Sequence, residues 1–484
     1  MKKPPSKITT WLFPTFSNLI LITTFFGVLI WGRVMMNRDG DLGRHLTIGR
    51  YILEQGKIPL RDLFSHTMNG QLLTPHEWLA QVIFALAEKV MGFNGIILLC
   101  ALLIAMAIMI IFRLTRSGTQ TLLTAVLAAL LAMVISTIHW LARPHLFTFL
   151  LLALWFTGLV HVRRGKLKHW WVLPLIMLLW ANLHGAFIAG FVTWIIYGLG
   201  TAWDSFIHDP PDAPGSPPLF WRHYLLSGAL SFGVTLLNPS GFDLWRTSVG
   251  YIGNNYLVDR TLEYQSPNFH QAGFWPFLIF IGVLLVVNGL NKKRSDSGML
   301  FNSAAWLVMS LYSARNIPLF AIIAAPLLGQ GLDDLLVKTG SKMKLFHRLV
   351  DMDQRIKAID QQLKGVVWPI VSILIAVIGL AIGFRFDRQG QGYGFDPKVF
   401  PVEAVNWLEE NPPEGEMFNY FTWGGYLLYR EWPDMQVFID GQTDFYGEDL
   451  TRQYAQVIRA EEGWEDVLDQ YGVTWAILPP GEDA

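Results

Sequence analysis

Residues 18–52, "NLILITTFFGVLIWGRVMMNRDGDLGRHLTIGRYI", set an apolar run of membrane length directly against two carboxylates (Asp39, Asp41), three guanidiniums (Arg38, Arg44, Arg50) and an imidazole (His45). A hydrocarbon core about 30 Å thick takes roughly 20 apolar residues per helix, and the run up to Arg33 meets that length. Its start is basic and no small-x-small cleavage site precedes the charges, so it reads as a retained first helix.

Composition agrees. Of 484 residues 52% are hydrophobic and only 15% charged, with 20 Trp, which is too apolar for a soluble globular chain and fits a multi-pass membrane protein. A net charge of −1 provides none of the basic surface that nucleic acids require, and the single cysteine, Cys100, permits no intrachain disulfide. Further spans are predicted near 93–112, 120–139, 145–161, 169–184, 186–205, 223–238, 272–290, 300–314, 317–335 and 366–385, about eleven with the first. The stretch "HEWLAQVIFALAEKV" (76–90) reads as a separate helix along the interface.

Loop charge sets the expected orientation. The loops "MKKPPSK", "RLTR", "HVRRGKLKH", "NKKRSDS" and "VKTGSKMKLFHR" alternate with "HWLARPH", "ANLHG", "LNPSG" and "SARN", which carry one basic residue or none. Lys and Arg collect on the cytoplasmic side, so the N-terminus is placed in the cytoplasm and the C-terminus outside. The segment 344–363 has apolar positions at helical spacing among basic residues and is expected to lie on anionic headgroups.

With that orientation residues 35–92 form a long first outer loop. His139, Arg143, His145, Asn182, His184, Asn238, Glu263, His270, Arg315 and Asn316 fall on the same side, at span ends. Such groups are costly in hydrocarbon and mark cavities or pathways, although individually they also serve as helix caps or headgroup anchors. A helix starting near Asp39 would stack Asp41, Arg44 and His45 on one face, an arrangement open to a general base, a phosphate-steering cluster or a metal site.

The blocks "DGDLGRHLTIGRYILEQGKIPLRDLFSHT", "HEWLAQVIF", "WANLHGAF", "LNPSG", "EYQSPNF" and "ARNIPLFAI" resemble the GT-C superfamily of multi-pass glycosyltransferases, of protein-mannosyltransferase-like or oligosaccharyltransferase-like architecture. The resemblance implies a polyprenyl-phosphate-linked sugar donor, a glycan, lipid or protein acceptor, and an acid on the first outer loop serving as catalytic base or metal ligand. Asp41 matches that acid, with Asp39 second; "RDGDLGRH" is a D-x-D spacing where related chains often show one acid followed by two aromatics. His45 is the third catalytic candidate. Arg44, Arg143, His184 and Arg315 are candidates for the donor phosphate, and Asp41, His45 and His76 for a divalent metal such as Mg or Mn.

After the last span, residues 387–484 are expected to form a small extracytoplasmic α/β domain behind a flexible Gly-rich segment, "DRQGQGYG". "EMFNYF", "MQVFID" and "VTWAILPP" read as strands, and "EDLTRQYAQVIRA" and "GWEDVLDQYG" as helices. Its "FTWGGYLLYREW" is similar to the Trp-rich turn of oligosaccharyltransferase catalytic subunits, which makes Trp423 and Tyr426 acceptor-binding candidates, with Gly424-Gly425 in place of the turn's acid; the same residues also read as a tight, well-packed turn. The expected chain is thus an α-helical membrane module (1–386) with a C-terminal domain, moving a sugar with inversion onto an acceptor hydroxyl at the outer face of the cell membrane. The alternatives are a multi-pass transporter and a non-catalytic envelope polysaccharide assembly protein.

Overall fold

The computed structural model describes residues 7–165, 169–207, 217–291 and 295–480. Parts of the basic loops used for orientation, 1–6, 166–168 and 292–294, lie outside them. A short helix α1 (Lys7–Leu12) precedes α2 (Phe16–Asn37). The Thr15 hydroxyl accepts from Asn18 N at 3.2 Å and opens α2 with a capping box. The amphipathic α3 (Leu42–Gln55) ends on Gly56, whose φ of 63° suits a left-handed C-cap.

Next comes α4 (Trp78–Gly118), 41 residues long. The stretch expected to be a separate interface helix runs into the second span and is bent from it at Met91-Gly92, where the glycine's φ is 58°. Its amphipathic first half is held along the membrane module because it packs on α3. The bundle continues with α5 (Leu122–Ser136), α6 (His145–Arg163), α7 (Val172–Leu183), α8 (Ile188–Ile207), α9 (Pro217–Thr235), α10 (Asp243–Ile252), α11 (Asn255–Arg260), α12 (Trp275–Leu290), α13 (Ser297–Tyr312), α14 (Ile317–Gly340), α15 (Lys344–Asp360) and α16 (Val367–Ala381).

Every expected span falls on a helix, and among the described residues seven segments, built on α2, α4, α5, α6, α8, α12 and α14, are long and apolar enough by themselves to cross a membrane. Helices α7, α13 and α16 have 12, 16 and 15 residues, and α9, with 19, is not apolar enough.

Helices α2, α3, α5, α6 and α14 all pack on α4. Within lipid, association depends on close packing and on satisfying each polar group rather than on expelling water. Trp155 and Trp180 are fully buried, and their indole N–H groups donate to the Gly190 carbonyl and the Thr148 hydroxyl, both at 2.8 Å. At the bundle end that holds the α4–α5 turn, three aspartates fix helix N-termini. Asp333 accepts from the backbone of Gln120 and Thr121 at 2.7 and 2.8 Å, and Asp353 from Leu123 at 2.8 Å. Asp360 accepts from Phe16 N at 2.7 Å and pairs with Arg116 at 2.7 Å. Two of these acids lie on α15, so the helix expected to rest on headgroups is latched to the bundle, while its Leu345, Met352 and Ile359 face outward.

Beyond α16 the Gly-rich segment is strapped down rather than loose. Asp387 accepts from Gln391 N and Gly392 N at 2.9 and 2.7 Å. The Tyr393 hydroxyl donates to Leu29 O at 2.7 Å, and Arg33 pairs with Asp396 at 2.9 Å. There follow α17 (Val402–Glu410), β1 (Glu416–Asn419), α18 (Gly424–Glu431), α19 (Thr443–Ile458), α20 (Trp464–Gln470) and β2 (Val473–Ile477). β1 and β2 pair in parallel. The third expected strand, "MQVFID", makes no ladder with them. Val437 exchanges backbone hydrogen bonds with Phe64 and His66 of the first loop, both at 3.1 Å. On its other side the Asn419 side chain binds Phe438 N and Ile439 O, each at 2.8 Å, doing there what a backbone ladder would have done.

Candidate active site

Glycine sets how the last hundred residues sit on the first loop. A Cβ on Gly43 would strike the Gly425 carbonyl, and one on Gly425 the Gly40 carbonyl. The two backbones therefore meet at a distance only glycine allows. Gly424-Gly425 is thus a docking surface, and it delivers the turn Asp440-Gly441-Gln442 to the end of the bundle where the loop residues gather. A Cβ on Gly441 would overlap Asp41 Oδ1.

Asp41 occupies the N-cap position of α3, yet its side chain makes no cap bond. Asp ordinarily caps a helix there. Its Oδ2 lies instead 3.0 Å from Arg143 Nη2. Asp39 takes Arg143 in a two-pronged pair through Nε and Nη2, and Arg143 Nη1 reaches Glu263 Oε1 at 3.2 Å. Three carboxylates from two separate segments thus share one guanidinium. Glu263 also stands 3.8 Å from His139 Nε2. Next to it, the Tyr264 hydroxyl accepts from Arg315, and among the described residues no carboxylate forms an ion pair with Arg315.

A second cluster adjoins the first. Glu77 holds the N-cap of α4 and likewise makes no cap bond. Its carboxylate lies 3.4 Å from His184 Nε2, 3.7 Å from His45 Nδ1 and 3.9 Å from both His76 Nε2 and Arg44 Nη2. From the docked turn, Gln442 accepts from Arg44 at 2.7 Å, Asp440 faces Arg44 at 3.6 Å and Asp444 faces His76 at 3.7 Å. Thr148 fixes His184 through Nδ1 at 2.9 Å while receiving the Trp180 N–H, so one hydroxyl ties the site to the core.

Burial and charge separate the two key acids. Burial raises Asp41 to about 7; Arg44 opposes the shift, and Asp440, Glu263 and Glu77 add to it. Burial would raise Glu263 as well, but Arg143, His139 and Arg315 outweigh it and hold that carboxyl at about 2. One acid therefore stays ionised and the other titrates near neutrality, the usual sign of an acid or base held for proton transfer. His45 is pushed well down, by burial first and then by Arg44, His76 and His184, and is neutral at pH 7.

Asp39, Asp41 and Arg143 meet directly, and Arg315 and His184 stand on the same end of the bundle. Asp41 and His45 do not share a face: helix α3 begins at Leu42, so Asp41 turns to Arg143 and His45 to Glu77. Arg44 is 5% exposed and faces Gln442, Asp440 and Glu77. Trp423 and Tyr426 lie within the packing of the C-terminal residues. Trp423 is buried and donates to Val399 O at 2.8 Å, and Tyr426, 1% exposed, packs on Phe395 and Phe400, so neither ring is open to an acceptor. The metal candidates Asp41, His45 and His76 do not converge, and among the described residues no three His, Cys, Asp or Glu side chains form a metal-binding group. Glu77, Asp440, Gln442 and Asp444 had no motif of their own to announce them; "HEWLA" and "EYQSP" had already drawn attention to the blocks that carry Glu77, Glu263 and Tyr264.

No known family model and no curated sequence matches the chain. Among solved structures, the Archaeoglobus fulgidus oligosaccharyltransferase in its apo form superposes with a TM-score of 0.62 at 12% identity, covering 95% of this chain and 69% of that one. The same enzyme, tethered by a disulfide to an acceptor peptide containing the NVT sequon, gives 0.59 at 12% identity, over 95% and 68%. The chain has the GT-C fold. ArnT from Cupriavidus metallidurans, bound to undecaprenyl phosphate, is a looser match, with a TM-score of 0.45 at 12% identity over 94% of this chain and 89% of that one. In the GT-C frame seen here, the first loop, the bundle end and the docked C-terminal residues enclose one charged site.

Proposed function

We propose that this chain is a membrane glycosyltransferase that moves a sugar, with inversion, from a polyprenyl-phosphate donor to an acceptor hydroxyl at the outer face of the membrane. The observation that carries the proposal is Asp41, an N-cap acid that leaves its helix uncapped and lies against a guanidinium, with burial pushing its carboxyl up to about 7. In the proposed reaction its ionised carboxylate takes the proton of the acceptor hydroxyl as that oxygen attacks the anomeric carbon. A positioned base of this kind contributes about 10²–10⁴-fold. The bond to the lipid phosphate breaks on the opposite face. Arg315, hydrogen-bonded to a phenol and ion-paired with no described carboxylate, is placed to receive the charge that develops on the leaving phosphate. In this reading the N-terminus lies in the cytoplasm and residues 387–484 outside, the orientation that the loop charges favour.

Asp41→Asn and Asp39→Asn, reconstituted with undecaprenyl-phosphate carrying a panel of labelled sugars, test the reading. Asp41→Asn should insert and fold normally and lose transfer by about 10²–10⁴-fold. Loss in Asp39→Asn alone would move the base to Asp39. Transfer by both variants at the parent rate would remove the carboxylate mechanism.

A further inference from the structure

The GT-C resemblance allowed for a divalent metal on the first-loop acid, but the chain's own residues fill that place. Each nitrogen of the Arg143 guanidinium faces a carboxylate: Nε and Nη2 bond Asp39, Nη2 also lies 3.0 Å from Asp41, and Nη1 is 3.2 Å from Glu263. Asp39 and Asp41 come from the turn before α3, Glu263 from the loop before α12, and Arg143 from the turn between α5 and α6. The guanidinium reaches all three acids at once, beside the weaker approach of His139 to Glu263 at 3.8 Å.

We propose that Arg143 is the built-in cation of this site, standing among Asp39, Asp41 and Glu263 where a divalent ion would otherwise sit, so that the site takes up no Mg²⁺ or Mn²⁺. Carboxylate oxygens bind Mg²⁺ at about 2.0–2.1 Å in a nearly ideal octahedron. Here both Asp39 oxygens, Asp41 Oδ2 and Glu263 Oε1 are turned to N–H groups instead. An entering ion would have to displace a half-buried positive charge that is covalently tethered to the chain. Guanidinium supplies its charge as planar, directional hydrogen bonds and cannot be deprotonated in proteins, so it holds the three acids in fixed relative positions at any physiological pH. One consequence concerns the base. With Oδ2 held by Arg143, Asp41 keeps Oδ1 for the acceptor proton. That last step rests on the glycosyl-transfer reading; the identity of the cation does not.

The test uses the full-length chain in detergent and reads Mn²⁺ occupancy by electron paramagnetic resonance, without any sugar donor, so its outcome is separate from whether the chain transfers sugar. The parent protein should hold no stoichiometric Mn²⁺. Arg143→Gln, its folding checked by thermal unfolding, should gain one Mn²⁺ per chain, and adding Glu263→Gln should abolish that gain. The proposal is overturned if the parent binds one Mn²⁺ that Asp41→Asn removes. A folded Arg143→Gln that binds none overturns it equally. If Arg143→Gln fails to fold, the parent measurement decides alone.

Discussion

Acids gather at both ends of this bundle, and what they bind differs. At the α4–α5 end Asp333, Asp353 and Asp360 give their oxygens to backbone N–H groups of other helices. At the opposite end Asp41 and Glu77 sit on the N-caps of α3 and α4 and make no cap bonds at all. Their carboxylates face Arg143, Arg44 and three imidazoles. Helix N-termini always present unpaired donors, so an acid that ignores the donors beside it is held by something else. An acid on backbone N–H groups stabilises the fold; an acid among side-chain charges has its proton affinity set by them.

Substitutions at the two ends should therefore separate activity from stability. Short of removing the Asp41 carboxylate itself, the largest effect is expected from Gly441→Ala, whose new methyl would occupy the space of Asp41 Oδ1. Shifting a base by about 1 Å can cost 10²-fold, and transfer should fall by that order while the thermal midpoint changes little. A stable Gly441→Ala with full activity would show that the docked turn does not position Asp41.

At the capping end the pattern should reverse. Asp353→Ala removes the partner of Leu123 N and should lower stability by about 1–2 kcal/mol, read from thermal unfolding in detergent, with turnover per folded molecule unchanged. Loss of turnover at unchanged stability would blur the distinction between the two ends. Trp423→Phe should have the smallest effect, losing one hydrogen bond to Val399 O, about 1 kcal/mol, and leaving acceptor use as it was. A selective rise in acceptor KM would return Trp423 to the binding surface.

The membrane character, the place of the helices and the charged first loop were legible in the sequence because apolar length and charge are local properties. The span count was less so, because α7, α13 and α16, with 12, 16 and 15 residues, are shorter than an isolated helix needs to cross a bilayer. Asp41 and Arg143 stood out as polar groups at span ends. Their pairing did not, because 102 residues separate them and only the folded bundle brings them together. Trp423 and Tyr426 left two readings open for a related reason: an aromatic turn looks the same in sequence whether its rings face a ligand or the core. The glycines beside them carried the real signal, close backbone contact with Gly40 and Gly43, and that could be read only with both partners in view.

The central claim is that Asp41 titrates near neutrality and acts as the base. Because burial raises this carboxyl, the folded chain keeps a proton that the unfolded chain has released between the ordinary value of 3.8 and about 7. Stability should therefore decline with rising pH across that window, while the active, ionised form grows. The direct measurement is single-turnover transfer from an undecaprenyl-phosphate sugar as a function of pH. The rate should rise about tenfold per pH unit on the acid side, bend near 7 and stay level above it. A profile already level from pH 5 upward would place the essential carboxyl in its ordinary range and contradict the assignment of Asp41 as the base.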